Sequence, residues 1–222
     1  MNIFFTSDLH FSHKNIAKFC PQFRPATESP QELNEFMIDV WNRTVAPEDT
    51  VYNLGDVSFA HEVGQVASVL QRLNGHHHLI LGNHDGIIER HADYFLQTTK
   101  HDGHPLLSSI QHYLKLKLPE INQTLVLFHY PVSEWDGCHK GWYHLHGHLH
   151  DRMAELPGRV LNAGYDMHGR FLTPQDLDDF LAGLPKLVRH RDKDGWAEDR
   201  EAAKARVKAE LAHRNIAKAI KN

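Results

Sequence analysis

TVYNLGDVSFAHEVGQVASVLQRLNGHHHLILGNHD, residues 50–85, sets an apolar run, a helical run and a second apolar run in succession. Thr50 to Leu54 is short, apolar and closed by Gly55, the pattern of a buried strand. Glu62 to Leu73 carries apolar residues at helical spacing up to the stop signal Asn74-Gly75, and His78 to Leu81 follows as another strand. Upstream, Ile3 to Thr6 reads as a first strand. Ser29-Pro30-Gln31-Glu32 opens a helix reaching about Arg43, with an N-cap serine, a proline at the first position and a glutamate that reaches back. Strand, helix, strand, helix, strand predicts an α/β layered core.

Past Asp85 the pattern changes. Tyr113 to Leu118 alternates apolar and charged residues and is followed by the apolar run Thr124 to Phe128, which predicts an antiparallel hairpin. Trp142 to Leu145 and Val160 to Asn162 give two more short strands, and Thr173-Pro174-Gln175-Asp176 caps a further helix. The expected packing is two mixed sheets facing each other with helices outside. Residues 1–185 read as one domain. Residues 186–222, which include AEDREAAKARVKAELAHRNIAKAIKN, read as a charged, alanine-rich helical tail.

With 222 residues and 41% hydrophobic content the chain can bury a full core, which excludes disorder as its main state. Lys and Arg number 24 against 28 Asp and Glu, a formal charge of −4, so no general basic surface for nucleic acid is indicated. Residues 198–222 hold seven Lys or Arg against four acidic residues, which leaves contact between the tail and a phosphate backbone open. Two cysteines, Cys20 and Cys138, make no disulfide framework and point to a reducing compartment. No apolar run reaches the roughly 18 residues of a membrane span, and MNIFFTSDLH lacks a basic leader region, so the expectation is a cytoplasmic protein without membrane contact. Twenty histidines raise the prior for metal chemistry.

Five segments share one feature: a strand that ends in side chains able to hold metal. These are Asp8-Leu9-His10, Gly55-Asp56, Gly82-Asn83-His84-Asp85, His129 and Gly147-His148-Leu149-His150. In extended chain residues i and i+2 share a face, so Asp8 with His10, and His148 with His150, are expected to converge in pairs. Imidazoles, carboxylates and an amide oxygen suit Mn, Fe, Ni or Zn, and the lack of thiolates argues against a structural zinc site.

The ordered set D-x-H, G-D, G-N-H-[DE], H, G-H-x-H, spanning residues 8–150, resembles the calcineurin-like metallophosphoesterases, and the loop D-L-H-F-x-H-x-N resembles their smaller bacterial and phage members. The resemblance implies a four-layer αββα sandwich with a binuclear site. Asp8, His10, Asp56 and His150 would hold one ion, and Asp56, Asn83, His129 and His148 the other, with Asp56 bridging. Ions about 3.5–4 Å apart clamp the attacking and leaving oxygens of a phosphoryl transfer. The implied activity is hydrolysis of phosphomonoesters or phosphodiesters by a metal-activated hydroxide, with Mn²⁺ the leading cofactor. It also implies that His84 faces the phosphate and leaving group as general acid or transition-state stabiliser.

Asp85 reads either as the group that orients an imidazole or as a helix N-terminal carboxylate. His13 and Asn15 follow the first ligand pair and are substrate-binding candidates, His13 alternatively facing solvent at a helix start. Tyr130, with Trp135 and Trp142, either floors a pocket or packs in the core. His76 to His78 are expected at the surface, and His144 and His146 in packing or support of the ligands. Asn162-Ala163-Gly164 resembles the segment that closes this fold, with Asp166 supporting it. Two rival functions stand beside the phosphoesterase: a nuclease acting on DNA or RNA, and a non-catalytic binding module on the same fold.

Overall fold

In the computed structural model the described residues are 1–188 and Ala205, so the tail expected over 186–222 otherwise lies outside them. The first sheet contains β1 (Ile3–Thr6), β2 (Thr50–Asn53), β3 (His76–Ile80) and β4 (Ser109–Gln111), in that order. Between them run the helices α1 (Ile16–Phe19), α2 (Pro30–Thr44), α3 (Val63–Leu70), α4 (Gly86–Arg90) and α5 (Ala92–Gln97). The second sheet contains β5 (Tyr113–Leu118), β6 (Gln123–Phe128), β7 (Tyr143–His146) and β8 (Val160–Asn162), followed by α6 (Tyr165–His168) and α7 (Pro174–Leu181). This is the expected α/β sandwich.

One of the two sheets is mixed: β5 and β6 are antiparallel, and β6, β7 and β8 are parallel. In the other, β1 to β4 are all parallel, and the antiparallel element is a single bridge from Phe5 to Leu172. Strand alternation divides the core in two. Phe4, Val51 and Leu79 face outward and pack with Met37 and Trp41 of α2 and Val66 and Leu70 of α3. Phe5, Leu54 and Ile80 face inward, against Leu125, Leu127 and Leu145 of the second sheet and Leu177 and Leu181 of α7. Each such side chain contributes roughly 1.5–3 kcal/mol by leaving water. The outer face of the second sheet is different. Lys115 and Lys117 are exposed there, while His144 is covered by Trp135, whose indole lies 5.4 Å away.

The two longer capped helices start where the sequence predicts. Ser29 Oγ accepts the Glu32 N–H at 3.3 Å, and Thr173 with Asp176 forms a capping box. Leu33, Met37, Ile38 and Trp41 form the buried stripe of α2. The third strand begins two residues earlier than expected, so His76 to His78 lie within β3 rather than ahead of it. His77 is consequently in the core, its ring 4.8 Å from Trp41 and both its nitrogens without a hydrogen-bond partner. The apolar run that marks β3 begins only at Leu79, because its first three residues are histidines.

Burial holds the His77 imidazole well below its ordinary pKa, so the native state keeps it neutral where the unfolded chain protonates it. Below about pH 6.5 the unfolded state binds the extra proton, and stability must fall as pH falls, by up to about 1.4 kcal/mol per pH unit for this group. Urea unfolding of His77→Leu should therefore show a flatter loss of stability between pH 6.5 and 5 than the parent protein. An unchanged slope would contradict the neutral, unpartnered assignment.

Candidate metal centre

Strand register brings the ligand-bearing segments to one rim. Thr6 pairs with Asn53 and Asn53 with Leu79, so the residues after β1, β2 and β3 emerge side by side. Leu127 pairs with Leu145 in the second sheet, and the Gly147 N–H then reaches the His129 carbonyl at 2.9 Å. The parallel ladder continues beyond the strands. Asp8 N donates to Gly55 O at 2.9 Å, His10 N to Asp56 O at 3.1 Å and Phe11 N to Val57 O at 2.8 Å.

The ligand pairs do not converge as extended chain. Asp8, His10, Asp56, His148 and His150 all have positive φ, between 51° and 68°. The left-handed region costs an L-residue on the order of 1–2 kcal/mol. Each of these residues turns its side chain into the rim by a local reversal of the backbone, a geometry that D-x-H and H-x-H spacing does not announce. Two glycines make room. A Cβ on Gly82 would collide with Asp56 Oδ1, and one on Gly147 would collide with Ser7 Oγ and lie 2.6 Å from Asp8 Oδ2.

Two groups of side chains result. Asp8, His10 and His150 form one, and Asp56, His129 and His148 the other; within each, the potential ligand atoms lie within 4.8 Å of one another. Asp56 Oδ2 stands between them, 3.8 Å from His10 Nε2 and 3.5 Å from His129 Nε2. Asn83 Oδ1 completes the second group, 3.2 Å from His129 Nε2 and 2.9 Å from His148 Nδ1. All seven residues named from the sequence as ligands thus meet at this rim.

The donor set fits a cation. His10 is 3% exposed, yet neither ring nitrogen has a hydrogen-bond partner, an omission that costs about 1–3 kcal/mol if nothing binds it. Its Nε2 lies 3.9 Å from Asp8 Oδ1, too far for a hydrogen bond. Ligands held at about 2.0–2.2 Å from one ion lie roughly 3–3.6 Å apart, close to the separations seen here. His129 is oriented for the same purpose: its Nδ1 is 2.6 Å from the Leu54 carbonyl, which fixes the proton there and leaves Nε2 facing Asp56.

A buried ion pair supports the first group. Arg24 donates to Asp166 at 2.6 Å and to the carbonyls of Leu9 and Asp8 at 3.0 and 2.8 Å, while Asp166 Oδ2 is 2.9 Å from His150 Nδ1. Asp166, expected to support the segment 162–164, instead joins Arg24 to His150, and Arg24 was missed. No feature of its local sequence marks it, because its partners are 15 to 142 positions away. Cys20, also unmarked, adjoins His150 and Asp166.

Asp85 stands at the N-cap of α4, as its helix N-terminal reading has it, but its side chain is used elsewhere. It is buried, and its carboxylate accepts the N–H groups of Asp56, Val57 and Gly82, each at 2.8 Å. It orients no imidazole and makes no side-chain cap on α4. With both oxygens so engaged it ties the loop after β2 to the loop after β3, which positions Asp56.

His84 is exposed at the mouth, its N–H held by Asp56 Oδ1 at 2.8 Å and its ring 4.2 Å from Phe59. His13 packs on the same Phe59 ring at 4.0 Å, with its ring 5.5 Å from His10. Asn15 lies farther out and is exposed, its N–H donating to His13 Nδ1 at 3.1 Å. Tyr130 flanks the other group, with its ring 4.9 Å from His129 and 4.8 Å from His148. Trp135 is in the packing over the second sheet instead. His144 supports the chain after His129: Val132 N–H donates to its Nε2 at 3.3 Å, so Nδ1 donates to Val126 O at 3.2 Å.

No family model matches the chain. An uncharacterized protein of Methanocaldococcus jannaschii, MJ1445, is 31% identical over 157 residues, 70% of this chain and 73% of its own. The Gene 66 protein of Mycobacterium phage L5 is 25% identical over 207 residues, 81% of this chain and 94% of its own. Among solved structures, a protein of unknown function from Aquifex aeolicus, AQ665, superposes with a TM-score of 0.57 at 20% identity, covering 81% of this chain and 99% of that one. That likeness shows the fold alone.

Burial pushes the Asp8 carboxyl up to about 6. Asp56 is also penalised by burial, but the His129 imidazole and the His84 N–H hold its carboxyl at about 2. Burial likewise opposes a proton on His150, yet Asp166 pulls it up to about 10. A cation must therefore displace a proton at His150 across the neutral range, and a second one at Asp8 below about pH 6. Calorimetric titration with Mn²⁺ should show affinity falling with pH and steepening below about 6, with the steepening lost in Asp8→Asn. A pH-independent affinity would contradict this ligand assignment.

Proposed function

The chain belongs to one family with the uncharacterized archaeal protein MJ1445, and we propose that it is a calcineurin-like, binuclear metal-dependent phosphoesterase, hydrolysing phosphomonoester or phosphodiester bonds. The observation that carries this reading is the placement of Asp56 between two ligand groups that the two sheets deliver to one rim. Asp8, His10, Asp56 and His150 would hold one divalent ion, and Asp56, Asn83, His129 and His148 a second, with Mn²⁺ the best match and Fe, Ni or Zn suited by the same donors. When bound, such a pair supplies Lewis-acid activation of water and of the phosphoryl oxygens.

The chain's own residues do the rest. His84 carries the exposed imidazole nearest the mouth, and the hydrogen bond from its backbone to Asp56 Oδ1 fixes its distance from the centre. In this reading it donates a proton to the departing oxygen. His13, on the other side of Phe59, faces the incoming phosphate. Tyr130 walls the opposite side beside His148. Arg24 and Asp166 hold the first ligand loop still, and Asp85 holds the second. No cysteine nucleophile is needed; both thiols are free and buried, which suits a reducing compartment, and the reading places the enzyme in the cytoplasm. No helix among the described residues is long and apolar enough to cross a membrane.

His84→Ala tests the assignment. With Mn²⁺ and a phosphoester, kcat should fall about 10²–10⁴-fold while metal content is retained, and the loss should be smaller for p-nitrophenyl than for alkyl esters, because a good leaving group needs less protonation. Loss of metal, or an equal loss on both esters, would remove His84 from the role of acid.

A further inference from the structure

The centre shares a wall with a larger cleft. A cavity of about 280 Å³ lies over His10, His84 and His150. Beside it, between α1 and the start of α2 and α3, lies a second cavity of about 680 Å³. His13, Phe19 and Phe59 line both, so the two are continuous along one side of the metal rim. The smaller space suits a phosphoryl group and its first bonded atoms, while the larger is in the range of sites that enclose whole organic ligands, about 300–1,000 Å³.

The two aromatic walls differ. Phe59 is clamped between the His13 and His84 rings at 4.0 and 4.2 Å. Phe19 is 63% exposed and touches the cluster only edge-on, its ring 6.0 Å from His13. A large ring left that open beside a catalytic cleft offers a stacking face. The rest of the lining mixes Pro30, Ala60 and Val69 with polar groups, of which Asn15, Gln31 and Gln65 offer amides suited to ring nitrogens and sugar hydroxyls. Lys14 and Arg152 are the Lys and Arg among the described residues that line the two cavities. Two cations are too few to track a polynucleotide backbone.

Resting on the phosphoesterase reading, we infer that the substrate is a phosphoester with a nucleoside-sized organic arm, which runs from the metal rim past His13 and stacks its planar ring on Phe19. Phe19 is then the residue that sets substrate preference.

The test uses the full chain with Mn²⁺ and two chromogenic esters, bis(p-nitrophenyl) phosphate and thymidine 5′-(p-nitrophenyl phosphate). The nucleoside ester should have the lower KM, and Phe19→Ala should reduce the ratio of kcat/KM values for the two esters about tenfold, the usual range for one base stacked on one aromatic ring. Phe19 is exposed, so the variant should fold. The inference is overturned if the parent protein shows no preference, if the ratio survives in Phe19→Ala, or if a single-stranded oligonucleotide is cleaved better than the mononucleotide ester. If neither ester is hydrolysed, the phosphoesterase reading fails and the cleft is judged by calorimetric binding alone. Thymidine 5′-monophosphate binding more tightly than inorganic phosphate, and more weakly to Phe19→Ala, supports it; equal binding overturns it.

Discussion

A carboxylate buried where the two sheets meet organises this molecule. Asp56 comes from the first sheet, and the histidines nearest its Oδ2 are His10 of the same sheet and His129 of the other. Removing a carboxylate from water is costly unless positive charge or N–H donors replace the solvent. The chain supplies one backbone N–H to Oδ1 and two imidazoles near Oδ2, and leaves both His10 ring nitrogens without a hydrogen-bond partner. Asp8, equally buried, meets the N–H of His148 from the second sheet at 3.0 Å. The arrangement is incomplete as a protein-only network, and its side chains are grouped so that they could hold a metal ion, so the metal reading draws on the electrostatics as well as on residue type.

Holding that carboxylate in place requires strained backbone. Five of the residues that carry the candidate ligands adopt left-handed φ, and they are five of the seven non-glycine residues with positive φ among the described residues. The strain is offset by the parallel ladder that runs on past β1 and β2, by the three amides that Asp85 gathers, and by the Arg24 pair beneath Asp8 and Leu9. Gly82 and Gly147 contribute by absence, since any side chain there would occupy the space of Asp56 or Asp8. These contacts hold the inner side of the rim, and the exposed groups His84, Phe19 and Tyr130 are on its outer side.

Much of this was readable in the sequence because apolar runs end in metal-capable residues, and a run that must be buried fixes both the strand and where its last side chains emerge. Ile3–Thr6 and Tyr113–Leu118 form as the pattern predicts, and all seven ligand candidates meet at one rim. What was not readable depends on the third dimension. The i, i+2 convergence was expected from extended chain, whereas left-handed turns produce it. Asp85 is adjacent to His84 in sequence but points to backbone amides 28 and 29 positions away. Arg24 reaches Asp166 across 142 positions. β4 is three half-buried residues, too short to carry a period, and His77 is polar by type yet core by place.

The central claim is that two ions occupy one rim and share Asp56. Anomalous scattering recorded at the manganese edge, from crystals of the full chain grown with Mn²⁺, tests it most directly. The account predicts two peaks, one among Asp8, His10 and His150 and the other among Asn83, His129 and His148, with Asp56 in contact with both. A single peak, no peak, or density at Cys20 and Asp166 with the rim empty would contradict it.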